Sequence, residues 1–191
     1  MRRSREDAAE TRRRIVETAS RLFRARGITL VSVADIMRAL GLTVGGFYRH
    51  FESKEALVAE AIEAASDEAV SRHAKATADA GRASALLDRY LSKAHRDHAE
   101  VGCPVAALCS EVAHESPPSR DAFTKALYRF LDVLGSVVPG DTKEARDRRL
   151  FTAASMVGAV VLSRATSDER LADDLLRVAR SGVHRDEPRR T

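Results

Sequence analysis

Tryptophan is absent, and only two cysteines, five prolines and ten glycines occur in 191 residues. Two cysteines exclude a disulfide-stapled secreted scaffold and a four-cysteine zinc site. So few prolines and glycines exclude collagen-like, mucin-like and low-complexity chains. Long apolar runs are missing too. The longest charge-free stretch, Leu150 to Ser163, falls short of the roughly 18 residues that a membrane span requires. Behind the charges of Met1-Arg2-Arg3-Ser4-Arg5-Glu6-Asp7 there is no apolar stretch, so no secretory signal is visible. A soluble, cytoplasmic protein without a membrane partner is expected. No Gly-x-Ser-x-Gly, P-loop or dinucleotide fingerprint occurs, and His95-Arg96-Asp97 lacks every other part of a kinase catalytic loop. An enzyme is therefore not expected, nor a cofactor.

What is present is charge, unevenly placed. Residues 1–54 carry 12 Lys and Arg against 6 Asp and Glu, whereas residues 55–191 carry 20 against 22. A basic head on a near-neutral body suits a head that meets a polyanion. A basic solvated arm would give the same count.

The apolar residues recur at three and four, not at two, so the chain reads as all-α. Ile15, Val16, Ala19, Leu22 and Phe23 make a first stripe that Gly27 ends. Val33, Ile36, Met37 and Leu40 make a second, with Ser32 as its N-cap and Gly41 as its stop. Thr43 can cap a short third helix through Phe47 and Phe51. Ser53 caps a long fourth helix with Leu57, Val58, Ala61, Ile62, Ala65 and Ala69, whose signal fades around Ala78–Gly81. A fifth follows through Leu86, Leu87, Tyr90, Leu91 and Ala94. Pro104 opens a sixth, running to about Ser116. After a break at Pro117-Pro118, Phe123 to Val138 forms a seventh. The eighth, about 143–165, is apolar all round from Leu150 to Leu162, which predicts burial on every face. The ninth covers about 168–181, and residues 184–191 read as a polar tail. About nine helices are expected.

The informative segment is Ser32 to Phe51. An amphipathic helix, a turn at Gly41 and a short second helix have the spacing of a helix-turn-helix, whose second helix enters the major groove. The resemblance then becomes specific. Ile15-Val16-Glu17-Thr18-Ala19, Leu22-Phe23, Gly27, Ser32-Val33-Ala34-Asp35-Ile36, Gly41-Leu42-Thr43 and the run from Gly46 to Leu57 resemble the DNA-binding domain of the tetracycline-repressor (TetR/AcrR) family of bacterial regulators. The strong likeness covers Thr11 to Ile62. Beyond it the chain agrees in helix count and in the Gly102-Cys103-Pro104 break.

That resemblance implies a homodimeric regulator that binds a double-stranded DNA operator and answers to a small-molecule effector. It divides the chain into a DNA-binding domain over 1–54 and a ligand-binding and dimerisation domain over 55–183. The eighth and ninth helices would pair with their copies in a four-helix bundle, through Ala154, Gly158, Val161, Leu171, Leu175 and Val178. A ligand pocket would lie among helices four to eight, with Tyr90, Cys103, Phe123, Tyr128, Phe151 and Met156 as candidate lining. Stripes at this spacing also serve as plain core.

Roles within the head follow from chemistry. Thr43 and Ser32 at helix N-termini suit a phosphate oxygen. Tyr48, His50 and Lys54 match family positions that grip the backbone, and Arg12 and Arg13 could reach phosphate or the minor groove. Base readout falls to Val44, Gly45, Gly46 and Arg49. The commoner pattern has a polar residue at the Val44 position and Ser or Thr at the Gly46 position. Val44 can touch a thymine methyl, the glycines permit close approach, and only Arg49 can make a bidentate base contact.

Two rivals stand beside an effector-released repressor. Cys103, at the start of the sixth helix, could be a lowered-pKa thiol that senses oxidants or electrophiles, or a buried small residue. An all-helical enzyme is the other. His95, His98, Glu111 and His114 could join Cys103 on a metal, but polar helix surface accounts for them, and no metal is expected.

Overall fold

The computed structural model describes residues 2–80 and 84–185. Among them there is no strand. Ten helices follow one another: α1 (Arg2–Arg26), α2 (Val33–Ala39), α3 (Val44–Phe47), α4 (Lys54–Ala80), α5 (Ser84–Tyr90), α6 (Lys93–Asp97), α7 (Pro104–Val112), α8 (Pro117–Leu134), α9 (Lys143–Ala165) and α10 (Glu169–Arg185). A 3-10 turn at Ala99–Val101 joins α6 to α7. No described helix is long and apolar enough to cross a membrane.

Local chemistry explains most boundaries. Gly27 and Gly41 hold φ of 89° and 69°, the left-handed region open to glycine, and they stop α1 and α2. Ser32 caps α2 reciprocally: its Oγ accepts from the Asp35 N–H at 3.1 Å, and the Asp35 carboxylate accepts from the Ser32 N–H at 3.0 Å. Ser53 Oγ accepts from the Ala56 N–H at 3.2 Å, a plain cap on α4.

Three boundaries differ from expectation. The anticipated fifth helix is two. The chain breaks at Leu91-Ser92, and Ser92 caps α6 by accepting from the His95 N–H at 3.2 Å. The prolines after Ser116 begin α8 instead of interrupting the chain, because proline suits the first turn. The last helix continues to Arg185, with Val183 buried, so the expected tail is helical at its start; residues 186–191 lie outside the described residues.

Two apolar clusters organise the molecule. One gathers Ile15, Ala19, Phe23, Ile28, Val31, Ile36, Met37, Phe47 and Phe51 of the head with Leu57, Val58, Ala61 and Ile62 of α4, and extends to Leu108, Val112, Ala122 and Ala126. The other gathers Leu86, Leu87, Tyr90, Leu91, Phe130, Leu134, Met156, Val160 and Leu176. Each Val, Leu, Ile, Phe or Met among them contributes about 1.5–3 kcal/mol on burial. Helix α4 belongs to both halves, lying against α1 and along α8, and α10 lies along α9.

The anticipated all-round burial of the eighth helix is not met within one chain. Phe151 is 59% exposed, and Leu150 and Leu162 are exposed beside it. With Ala154, Gly158 and Val161 they continue one stripe of α9. Leu171 and Val178 are exposed on α10, where Leu175 is half-buried.

Candidate functional site

Helix α3 is only four residues long, and it is held from behind. Phe47 is fully buried, stacks on Phe51 at 5.4 Å and meets Tyr48 edge-on at 5.2 Å. The opposite side is bare: Val44, Gly45, Tyr48 and Arg49 are all exposed, Tyr48 by 64%. A Cβ at Gly45 would meet nothing within 4 Å, and one at Gly46 would meet only ordinary contacts at 3.7 Å. Packing within the chain therefore does not require these glycines. Thr43 precedes α3 but makes no side-chain cap, contrary to expectation, which leaves its hydroxyl available. Among the described residues no ion pair or side-chain hydrogen bond holds Arg49 or His50.

Three other candidates are engaged inside the chain. Arg12 grips Glu60 of α4 with both guanidinium nitrogens, at 2.6 and 2.5 Å, and lies 4.4 Å over the Phe51 ring. That pairing holds its pKa above the ordinary arginine value. Lys54 donates to the Ile28 carbonyl at 2.6 Å, tying α4 to the loop after α1. The Ser32 hydroxyl serves the α2 cap and donates to Asp35 at 2.6 Å, which lowers the Asp35 pKa. Arg13 keeps an exposed position but pairs with Glu10 and Glu17 on its own helix. Of the polar candidates in the head, Thr43, Tyr48, Arg49 and His50 are thus, among the described residues, the ones left without a side-chain hydrogen bond or ion pair, whereas Arg12, Arg13, Ser32 and Lys54 are engaged within the chain.

The body holds a cavity of about 180 Å³ lined by Arg72, His73, Arg89, Tyr90, Ser92, Ala94, His95, His98, Val101 and Cys103. Of the six candidate lining residues, Tyr90 and Cys103 meet here. Tyr128 lines a different cleft of about 410 Å³ between α8 and α9, with Leu127, Leu131 and Leu150. Met156 is plain core and Phe123 is half-buried against both clusters. Phe151 belongs to the exposed stripe of α9 and lines neither of these cavities. It points with the helix face that the chain itself leaves uncovered.

His95 organises the cavity. Its Nδ1 donates to the Tyr90 carbonyl at 2.7 Å, and its Nε2 accepts from the Cys103 N–H at 3.0 Å. Only the neutral ring can do both. Burial first, then the nearby arginines, drop its pKa to about 4; the Tyr90 carbonyl opposes them. His73 falls to about 4 as well, again chiefly through burial. The His95 carbonyl in turn accepts from Arg164 of α9 at 2.6 Å. Among the described residues no three His, Cys, Asp or Glu side chains converge as a metal group.

Of the two readings of Cys103, a lowered-pKa thiol or a buried small residue, the structure bears out the second. Its position before Pro104 predicts a lowered pKa. The side chain is buried, and burial raises the pKa; the N–H groups of Ala106 and Val105 and the Tyr90 hydroxyl pull the other way and lose. A protonated, covered thiol is a poor nucleophile.

Sequence reading passed over Arg24, which joins the two halves. This α1 side chain is fully buried, donates to the Gly102 carbonyl at 2.8 Å and pairs with Glu68 of α4 at 2.7 Å. Burial lowers its pKa against the pull of Glu68. At the other end of α7, Glu111 accepts from the Thr29 N–H at 3.0 Å. Both ends of α7 therefore touch the head. An arginine in the buried stripe beside Ser20 was the available signal.

Comparison with known proteins fits this arrangement. Residues 15–61 match the family described as bacterial regulatory proteins, tetR family. The HTH-type transcriptional regulator TtgR of Pseudomonas putida is 45% identical over 58 residues, a match spanning 30% of this chain and 28% of TtgR. An uncharacterized HTH-type transcriptional regulator of Mycobacterium tuberculosis is 25% identical across 82% of this chain and 86% of its own. A TetR transcriptional regulator from Chloroflexus aurantiacus superposes with a TM-score of 0.74 at 26% identity, covering 94% of this chain and 96% of that one.

Proposed function

Because this chain belongs to the TetR family of bacterial transcriptional regulators, we propose that it is a homodimeric repressor. It grips a near-palindromic operator through α2 and α3 and releases it when a small molecule occupies the body. The observation that carries the reading is the bare face of α3. Thr43, Val44, Gly45, Tyr48 and Arg49 stand outward around a fully buried Phe47, with no internal packing role for the two glycines. Such a face presents a rigid backbone to a groove, with Arg49 as its only side chain able to hold a guanine edge bidentately. Repression follows from steric exclusion of polymerase.

Dimerisation rests on the uncovered stripe of Phe151, Ala154, Gly158 and Leu162 with Leu171 and Val178. A second copy covering it supplies the two heads that half-sites about 34–36 Å apart require.

Gel-shift titration of the full chain against genomic fragments, repeated across salt, tests the reading. Wild type binds a subset of fragments, with affinity falling steeply as salt rises. Arg49→Ala weakens binding and relaxes sequence preference. Gly158→Glu, at a position where a Cβ meets nothing in the chain, gives monomers in light scattering and no specific shift. A monomeric wild type, or fragment binding indifferent to Arg49, overturns the proposal.

A further inference from the structure

We propose that the cavity between α4, α5, α6 and the Gly102-Cys103 corner takes a small organic anion, a single flat ring bearing a carboxylate or phenolate. The inference deepens the regulator reading: its signalling part rests on that reading, while its binding part stands alone.

Size comes first. About 180 Å³ corresponds to roughly six waters of liquid volume, well below the space of a drug-sized ligand. One ring with a short substituent fits it. Charge comes second. Among the ten lining residues there is no Asp or Glu, while Arg72 and Arg89 both contribute. Arg72 shares Glu68 with Arg24, so two cations divide one carboxylate. Arg89 is exposed, and among the described residues no carboxylate pairs with it. Behind the wall, Arg164 is half-buried and, among the described residues, donates only to the carbonyls of His95 and Arg96. An anion entering here gains from all of them, and burial strengthens the attraction.

Polar orientation comes third. Tyr90 is 1% exposed, yet its hydroxyl has no well-formed hydrogen bond. The Cys103 thiol beside it is a hydrogen-bonding neighbour, but sulfur is a weak partner. A buried hydroxyl left so is costly unless something accepts from it, and a carboxylate or phenolate oxygen does. Aromatic walls complete the fit: the Tyr90 ring meets His95 edge-on at 4.4 Å and lies 6.3 Å from His73. Ring faces and edges of this kind favour a flat unsaturated body.

The site also has a route to the head. An occupant displacing Tyr90 or His95 disturbs the Cys103 N–H that His95 holds, and the adjoining Gly102 carbonyl is the one that Arg24 of α1 grips.

The experiment is calorimetric titration and thermal shift of the full chain with benzoate, 4-hydroxybenzoate and the neutral isostere benzamide. Wild type binds the acids and is stabilised by them, and benzamide does neither. Arg89→Gln, on the surface, and Tyr90→Phe, which keeps the ring, each weaken acid binding about tenfold while leaving the unliganded transition near wild type. Benzamide binding as well as benzoate, acid binding unchanged in both variants, or no binding of either acid at millimolar concentration overturns the inference. Gel shifts on the same preparations separate the two readings. Acid binding in a protein that shifts no fragment overturns the regulator and supports the anion site. Specific DNA binding that the acids leave unchanged, although calorimetry shows them bound, overturns only the signalling part.

Discussion

The head and the body bury side chains to opposite ends. In the head, Ile15, Ala19, Phe23, Val31, Ile36 and Phe47 are closed off almost completely, and polar groups around them are paired: Ser32 with Asp35 three residues on, Arg12 with Glu60 of α4. The body instead encloses imidazoles, a thiol and a phenol around open space: His73, His95, Cys103 and Tyr90. A reading surface must be preorganised, so each loose side chain in the head would weaken recognition. A receiving site needs room and polar groups not yet fully partnered. Between them lie Ser20 and Arg24, buried polar residues of α1, where the head touches the Gly102 corner.

The sharpest way to break this contrast is to open the head. Phe47→Ala removes a fully buried ring that backs the whole α3 face. A loss of about 3–5 kcal/mol is expected, read as a lower urea midpoint. DNA affinity should vanish with it, even under conditions where circular dichroism still reports folded helix. A variant that keeps both stability and fragment binding would show that Phe47 is not the support of the reading face.

A titration tests the body in the same terms. His95 and His73 hold pKa values of about 4 in the folded chain against about 6.5 when unfolded. A depressed histidine pKa means that the unfolded state binds the extra proton, so stability is lost as pH falls from about 6.5 towards 4. By about pH 5 each histidine removes on the order of 2 kcal/mol. Urea midpoints followed from pH 7 to pH 5 should drop, and His95→Gln should remove about half of the slope. A flat profile would mean that the imidazoles are not held neutral by burial.

How much of this was legible in the sequence depends on the range of the interaction. Short-range signals held. The α9 boundaries, 143 to 165, match the expected helix, and the Ser32 and Ser53 caps lie where three-residue spacing put them. Long-range engagement did not show. Arg12 finds Glu60 forty-eight residues away, and Lys54 finds the Ile28 carbonyl twenty-six residues back. A charge near a DNA-binding motif looks the same whether it faces solvent or a partner helix. Of the two readings of Cys103 the structure bears out burial: its helix end is local and visible, but the burial that outweighs it comes from elements distant in sequence. Ser92 was missed because the apolar stripe of α5 continues into Ala94 across the break, and only the capping bond reveals it.

The joint comes next in size. Arg24→Met keeps the buried length of the side chain but leaves the Gly102 carbonyl and Glu68 without their partner. About 2 kcal/mol is expected to be lost, as befits a charged hydrogen bond whose carboxylate is partly solvated. The effect should be felt at a distance. Hydrogen exchange at the Cys103 amide, held by His95, should accelerate in the variant although the substitution lies in α1. Exchange at Cys103 identical to wild type would mean that the head and the cavity corner are merely adjacent.

The smallest change is the most diagnostic of the contrast. Tyr90→Phe deletes one oxygen from a ring packed between Phe130, stacked at 5.3 Å, and His95. In a head-like core such a deletion would strand a partner and cost about 1–3 kcal/mol. Here the hydroxyl lacks a well-formed bond, so nothing is stranded beyond the weak contact with the Cys103 thiol. Removing a buried polar atom without a partner is neutral or stabilising. The urea midpoint of Tyr90→Phe should therefore stay level or rise, with the shift within about 0.5 kcal/mol of zero or on the stabilising side. A clear loss would show that the hydroxyl is already satisfied inside the chain, and the body would then be closed in the same way as the head.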